Sequence, residues 1–143
     1  MNIEFKWYKN VVPEEARQIR NIVFVDEQQV MPEEEFDGSD DFSEGVVMYC
    51  DGKAVATGRI IIGNRGECMI GRVACLKDCR GKGFGRELVK ELLRRCKEKG
   101  FDTVYVHAQT RVRGFYESLG FKGYGDIFME ANITHISMKL KLK

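Results

Sequence analysis

Long apolar runs are missing from this chain of 143 residues: none approaches the ~20 residues that a helix needs to cross a bilayer. The opening Met1-Asn2-Ile3-Glu4-Phe5-Lys6 lacks the basic-then-apolar order of a signal peptide, so a cytoplasmic protein with no membrane partner is expected. Histidine is scarce, at two residues, and the five cysteines (Cys50, Cys68, Cys75, Cys79, Cys96) are odd in number with no C-x-x-C pair. No Cys/His spacing fits a zinc site, so no metal is expected, and the thiols read as reduced core residues. Cys79, beside Arg80 and near a helix start that could lower its pKa, carries the alternative of a nucleophile. There is no basic stripe with interleaved aromatics, and a pronounced acidic segment is present, so no nucleic-acid partner is expected. Asp37-Gly38-Ser39-Asp40-Asp41-Phe42 faintly resembles a calcium loop, but the sixth position must turn on glycine and is Phe42.

The formal net charge is only +1, yet it is unevenly spread: Asp26–Glu44 holds nine carboxylates and no Lys or Arg. Such a segment reads either as a solvated polar loop or as an acidic rim that attracts a cationic amine.

Size and pattern predict one α/β domain over residues 1–143, with no repeat and no linker. Pro13-Glu14-Glu15 suits a first helical turn, and Ala16, Ile19, Ile22 and Val23 then recur at helical spacing, fading near Val25–Gln28. Asp51-Gly52, between Val46–Cys50 and Lys53–Ile62, is a strong hairpin signal, and Gly63-Asn64-Arg65-Gly66 leads back through Glu67–Leu76. That predicts an antiparallel three-strand meander. Phe84, Leu88, Val89, Leu92, Leu93 and Cys96 form one apolar face of a helix ended by Gly100, with Glu91 four residues before Arg95 in the order that favours an ion pair. Thr103–Ala108 reads as a buried strand, parallel to the one before the helix. In Ile133–Leu142, Thr134, Ile136, Met138, Leu140 and Leu142 alternate with His135, Ser137, Lys139 and Lys141, which places His135 on the polar face.

Between the third meander strand and the long helix lies Arg80-Gly81-Lys82-Gly83-Phe84-Gly85. Alternate glycines do not stabilise a strand; they mark backbone that bends sharply or approaches a ligand. The first N–H groups of the following helix lack intrahelical partners, and the helix dipole favours an anion there. A dinucleotide turn would need a third glycine where Arg86 stands, and a P-loop would need Gly-Lys-Ser/Thr; neither is present.

Arg80-x-x-Gly83-x-Gly85 resembles the acetyl-coenzyme A loop of the GNAT N-acetyltransferase superfamily. Gly114-Phe115-Tyr116-Glu117-Ser118-Leu119-Gly120-Phe121 resembles the segment that follows the fifth strand in that superfamily, and the resemblance extends over almost the whole chain. Val23–Gln28 and Ile133–Met138 are similar to the small bacterial ElaA/YjcF group, whose pattern has His where this chain has Gly45 and Pro where it has Thr134; any role of that histidine is absent here. The resemblance implies a mixed sheet in which the meander is followed by a parallel strand pair splayed around an acetyl-CoA site. It implies transfer of an acetyl group to a primary amine by direct attack in a ternary complex.

By the same resemblance, Arg80, Gly81, Lys82, Gly83, Phe84 and Gly85 would hold the pyrophosphate, the backbone of Val73 and Cys75 would pair with the pantetheine arm, and Phe115 would border the cofactor. Tyr116 would protonate the leaving thiolate, since a phenol can donate to it. Glu27, at the end of the first helix, and His135, with its more suitable pKa, are the candidate bases, with a water chain as an alternative. His107 reads as structural. A small-molecule amine is the expected acceptor, with polyamines, aminosugars, and protein amines open, and a homodimer is possible. An acyl-CoA-binding sensor without turnover is the alternative function.

Overall fold

The computed structural model describes residues 2–63 and 65–142; Asn64 of the expected return turn lies outside them, as do the side chains of Asp41 and Phe42. A seven-stranded sheet runs in the order β1-β2-β3-β4-β5-β7-β6, with β1 Ile3–Lys9, β2 Ser43–Cys50, β3 Lys53–Ile62, β4 Cys68–Cys75, β5 Thr103–Gln109, β6 Lys122–Glu130 and β7 Ile133–Lys141. The meander and the parallel pair are both present: β2, β3 and β4 are antiparallel neighbours, and β4 and β5 are parallel. At the β2–β3 turn, Asp51 and Gly52 both take positive φ, 51° and 83°, as a tight hairpin turn of matching twist requires. No helix among the described residues is long and apolar enough to cross a membrane.

Two strands had not been expected. In β1, Ile3, Phe5 and Trp7 alternate towards the core, so this strand was visible in the pattern. In β6, almost every residue is exposed, so period two is absent and an edge strand escapes a search for alternation.

Helices cover both faces. On one, α3 (Phe84–Glu98) buries Phe84, Leu88, Val89, Leu92 and Cys96 against Val46, Met48, Val104, Val106 and Met138. Arg95 does not take up the expected pair with Glu91. It reaches across to Glu44 of β2, with its guanidinium over the Trp7 ring, while Glu91 pairs with Arg94 and accepts from Trp7 Nε1. A tertiary partner outweighs an exposed i,i+4 pair.

On the other face, α1 (Glu14–Arg20) continues into a π-helical stretch, Asn21–Glu27. The wider turn carries Val23 and Phe24 into the core and leaves Ile22, expected on the buried face, 45% exposed. Short helices α2 (Pro32–Glu35) and α4 (Arg113–Ser118) complete the fold.

Gly45 pairs directly with Tyr8 of β1. A Cβ at 45 would lie 2.3 Å from Tyr8 Cζ, so the ring occupies the space that a histidine would need. We expect Gly45→Ala to destabilise the fold by about 1–3 kcal/mol in urea unfolding. Combining it with Tyr8→Ala should cost less than the sum of the two single changes.

Candidate active site

The site begins where two strands part. β4 and β5 pair over only three positions, ending at Ile70↔Val106. Just beyond, Arg72 takes φ 50°, and the four β4 residues from Gly71 to Ala74 oppose three on β3, from Arg59 to Thr57. This is a β-bulge with a non-glycine residue in the left-handed region. It reverses the facing of the strand: Ile70 belongs to the core under α3, while Ala74, four residues on, packs with Ile19, Val23 and Phe24 under α1. The strands diverge around a cleft of 810 Å³, a size typical of a small-molecule site.

The glycine loop opens beside it. Gly81 and Gly83 have φ of 78° and 82°, and a Cβ added to either would meet nothing within 4 Å. Gly83 is the N-cap of α3 and no side chain caps the helix, so the first-turn amides face open space. Lys82 is exposed, whereas Phe84 is 5% exposed in the core; only its backbone is free for the role expected of it. Gly85 faces the Phe115 ring, 3.6 Å from the position of a Cβ. Val73 and Cys75 line the cleft. Burial pushes the Cys75 thiol up, which disfavours a thiolate there. Cys79 is buried, away from a nucleophile's surroundings.

Arg80 is engaged elsewhere. Its two Nη atoms donate to Glu27 Oε2 and Oε1 at 2.6 and 2.9 Å, and its Nε donates to the Cys75 carbonyl at 3.0 Å. The bidentate bond from Arg80 holds the Glu27 carboxyl below its ordinary range, the opposite of what a base working near neutral pH needs. The carbonyl of Cys75, expected to face the pantetheine arm, accepts from Arg80.

Tyr116 is 6% exposed but lines the cleft. Phe115 and Phe121 stand edge-on to it at 5.1 and 5.5 Å, and its hydroxyl has no hydrogen-bond partner among the described residues. Burial raises its pKa, keeping the phenol protonated.

On the α1 face of the sheet, β5, β6 and β7 bring together three titratable groups. His107 Nδ1 lies 3.2 Å from Glu130 Oε1, and His135 Nε2 lies 3.7 Å from Glu130 Oε2. His135 shares a face with Ser137 and Lys139 as expected, but it is only 6% exposed, stacked on Phe128. His107, which had read as structural, lines the cleft. Its facing was legible: Val104, Val106 and Ala108 point to the α3 core, leaving Tyr105, His107 and Gln109 for the other side. Glu130 depends on the strand that pattern reading missed.

The acidic segment is neither freely solvated nor a bare rim. Arg20, 1% exposed, donates to Glu35 Oε2 at 2.7 Å and Asp40 Oδ1 at 2.9 Å. Arg59 also donates to Asp40, and Arg72 reaches Glu35 and Asp37. Arg59 Nε is buried without a partner among the described residues. Glu33 and Glu34, outside this network, line the cleft wall.

The chain as a whole is similar to known proteins. A family model for the acetyltransferase (GNAT) domain covers residues 11–142. The chain is 37% identical to the protein YyaT of Bacillus subtilis over 87% of its own length and 85% of YyaT's. It is 33% identical to the N-acetyltransferase YjcF of the same organism, over 87% of this chain and 89% of YjcF. The acyl-CoA N-acyltransferase of Pseudomonas aeruginosa superposes with a TM-score of 0.85 at 27% identity, over 97% of this chain and 99% of that one. Escherichia coli ElaA does so with 0.84 at 28% identity, over the same shares. This chain belongs to the GNAT family and is an N-acetyltransferase, a class that transfers acyl groups from acyl-CoA.

The buried network gives a test of what holds the acidic segment. Burial pushes Asp40 up, but the hydrogen bonds and charge of Arg20, with Arg59, bring it below its ordinary value; burial dominates at Glu35, which is raised. Asp40's contribution is present above its unfolded pKa of about 3.9 and is lost as pH falls through the lower folded value. Arg20→Met takes one of two guanidinium partners from each carboxylate, leaving Asp40 with Arg59 and Glu35 with Arg72, and we expect a loss of about 3 kcal/mol at pH 7. Acid neutralises the under-compensated carboxylates, so in urea unfolding the deficit should shrink as pH falls towards 4.

Proposed function

We propose that this enzyme is an acetyl-CoA-dependent N-acetyltransferase acting on the primary amine of a small molecule, by direct attack in a ternary complex. The observation that carries this reading is that one cleft, opened by the parting of β4 and β5, is lined both by Tyr116 and by Arg80, the residue that leads into the glycine loop before α3. The residues fit the cofactor: the open space at Gly81 and Gly83 lets phosphate oxygens approach the amides of 81–85. When bound, acetyl-CoA supplies the acyl thioester.

Lys82 adds charge at the loop, and the diverging backbone of β4 around Val73 offers an edge for the pantetheine arm. Tyr116, kept neutral by burial, donates its proton to the departing sulfur. Glu27 serves as the ion-pair partner of Arg80 rather than as the base. The amine proton passes to the imidazoles on the α1 face, where His135 Nδ1 donates to the Ile133 carbonyl at 2.7 Å and its Nε2 faces Glu130 Oε2 at 3.7 Å. Glu33 and Glu34 favour a cationic acceptor by charge alone.

Gly83→Glu places a side chain and a negative charge where the phosphates would lie, so acetyl-CoA binding should be lost in calorimetric titration while the fold survives by circular dichroism. Tyr116→Phe should leave that binding intact and lower kcat about 10²-fold or more, followed as release of free coenzyme thiol over a panel of amines. Tight binding with no thiol release from any amine would favour the sensor reading.

A further inference from the structure

The proton acceptor is fixed more sharply by hydrogen-bond chemistry than by sequence. A carboxylate only accepts hydrogen bonds, so Glu130 Oε1, 3.2 Å from His107 Nδ1, requires that nitrogen to carry the proton. The neutral ring then has its lone pair on Nε2, which has no partner among the described residues. His107 is also the first β5 residue beyond the last parallel pair, Ile70↔Val106; it therefore sits where the strands part, on the face opposite the α3 core. Its side chain is 40% exposed against 8% for His135. A carboxylate behind an imidazole whose far nitrogen faces a cleft is an arrangement that fixes the tautomer and stabilises the imidazolium.

We propose that His107 Nε2 accepts the proton of the bound ammonium, with Glu130 holding the ring and balancing its charge, and with His135 and Phe128 positioning Glu130. The proposal rests on the acetyltransferase reading. His107 takes one proton from R–NH₃⁺ and passes it to solvent. The freed lone pair forms the C–N bond as the C–S bond breaks; Tyr116 gives its proton to sulfur and regains one from the nitrogen. One amide, one thiol and one solvent proton result.

Both histidine rings are anchored by Phe128, edge-on to His107 at 5.1 Å and stacked with His135 at 5.8 Å. His135 is tied by its Nδ1 to the strand backbone, so its Nε2 points to Glu130 Oε2. Glu130 is lowered from its ordinary value, first by the hydrogen bond from His107 and then by the charges of His107, His135 and Arg72 against its own burial. The groups facing the trio are thus Glu130 from β6, His135 from β7 and Arg72 from β4, with Arg111 and the α2 carboxylates Glu33 and Glu34 on the cleft wall.

The chain has two histidines, so His107→Gln assigns the ring resonances directly. In ¹⁵N spectra, neutral His107 should be the Nδ1–H tautomer, and Glu130→Gln should release it towards the commoner Nε2–H form. With acetyl-CoA and putrescine, glucosamine or lysine amide as acceptor probes, His107→Gln should lower kcat by about 10²–10⁴-fold, abolish the acidic limb of kcat/KM and leave the KM for acetyl-CoA unchanged. Glu130→Gln should give a smaller loss, largely restored in Glu130→Asp. An Nε2–H tautomer in the wild type, or a wild-type acidic limb in His107→Gln, overturns the proposal while the acetyltransferase reading stands. Failure of the wild type to bind acetyl-CoA removes that reading, and the proposal with it. If no probe is turned over, the tautomer and its release by Glu130→Gln decide.

Discussion

One extra residue in one strand organises this molecule. Without the bulge at Arg72, β4 would keep its ladder with β3 and run on beside β5. Ile70 and Ala74 would then share a face, and the sheet would close over the space that the cleft occupies. The bulge holds a β-branch-free but bulky residue in a left-handed conformation, which costs of order 1–3 kcal/mol. It persists because Arg72 is secured at its far end, by Glu35 and by the backbone carbonyls of residues 34 and 35. The strain is held by the same acidic segment that walls the cleft.

That segment shows why a count of charges says little about how they act. Within it, Glu35, Asp37 and Asp40 face Arg20, Arg59 and Arg72, three guanidinium groups drawn from α1, β3 and β4. Each of those elements is thereby tied to the wall of the site. Buried ion pairs of this kind add little net stability compared with apolar packing, but they tolerate only one arrangement. The side-chain carboxylates of Glu33 and Glu34 pair with none of these arginines and line the cleft.

Much of this was legible from residues alone. Hairpin, meander, crossover helix and glycine loop each carry a local signal, so their positions follow from Asp51-Gly52, from the apolar face of residues 84–96 and from Gly81 to Gly85. The losses have specific causes. Ile22 turned outward because a π turn changes the period that the pattern assumes. Lys122–Glu130 was missed because an exposed edge strand need not alternate, and with it went Glu130. His107 was set aside because a buried strand suggested a structural histidine, whereas strand parity already placed it opposite the core. Glu27 drew attention as a free acid at a helix end; its commitment to Arg80, 53 residues away in sequence, is a tertiary fact that no local pattern holds.

That commitment alters what the first residue of the glycine loop is worth. An arginine waiting in solvent would gain a full charge-assisted bond on meeting a phosphate. Arg80 already has both carboxylate oxygens of Glu27, so any anion arriving at the loop must trade with a partner in place, and only the difference between two similar bonds is left over. On the proposed reading, the loop's grip would fall mainly to the backbone amides of residues 81–85. The side chain acts instead as a strut, joining the end of the first helix at Glu27 to the end of β4 at the Cys75 carbonyl, just ahead of the third helix.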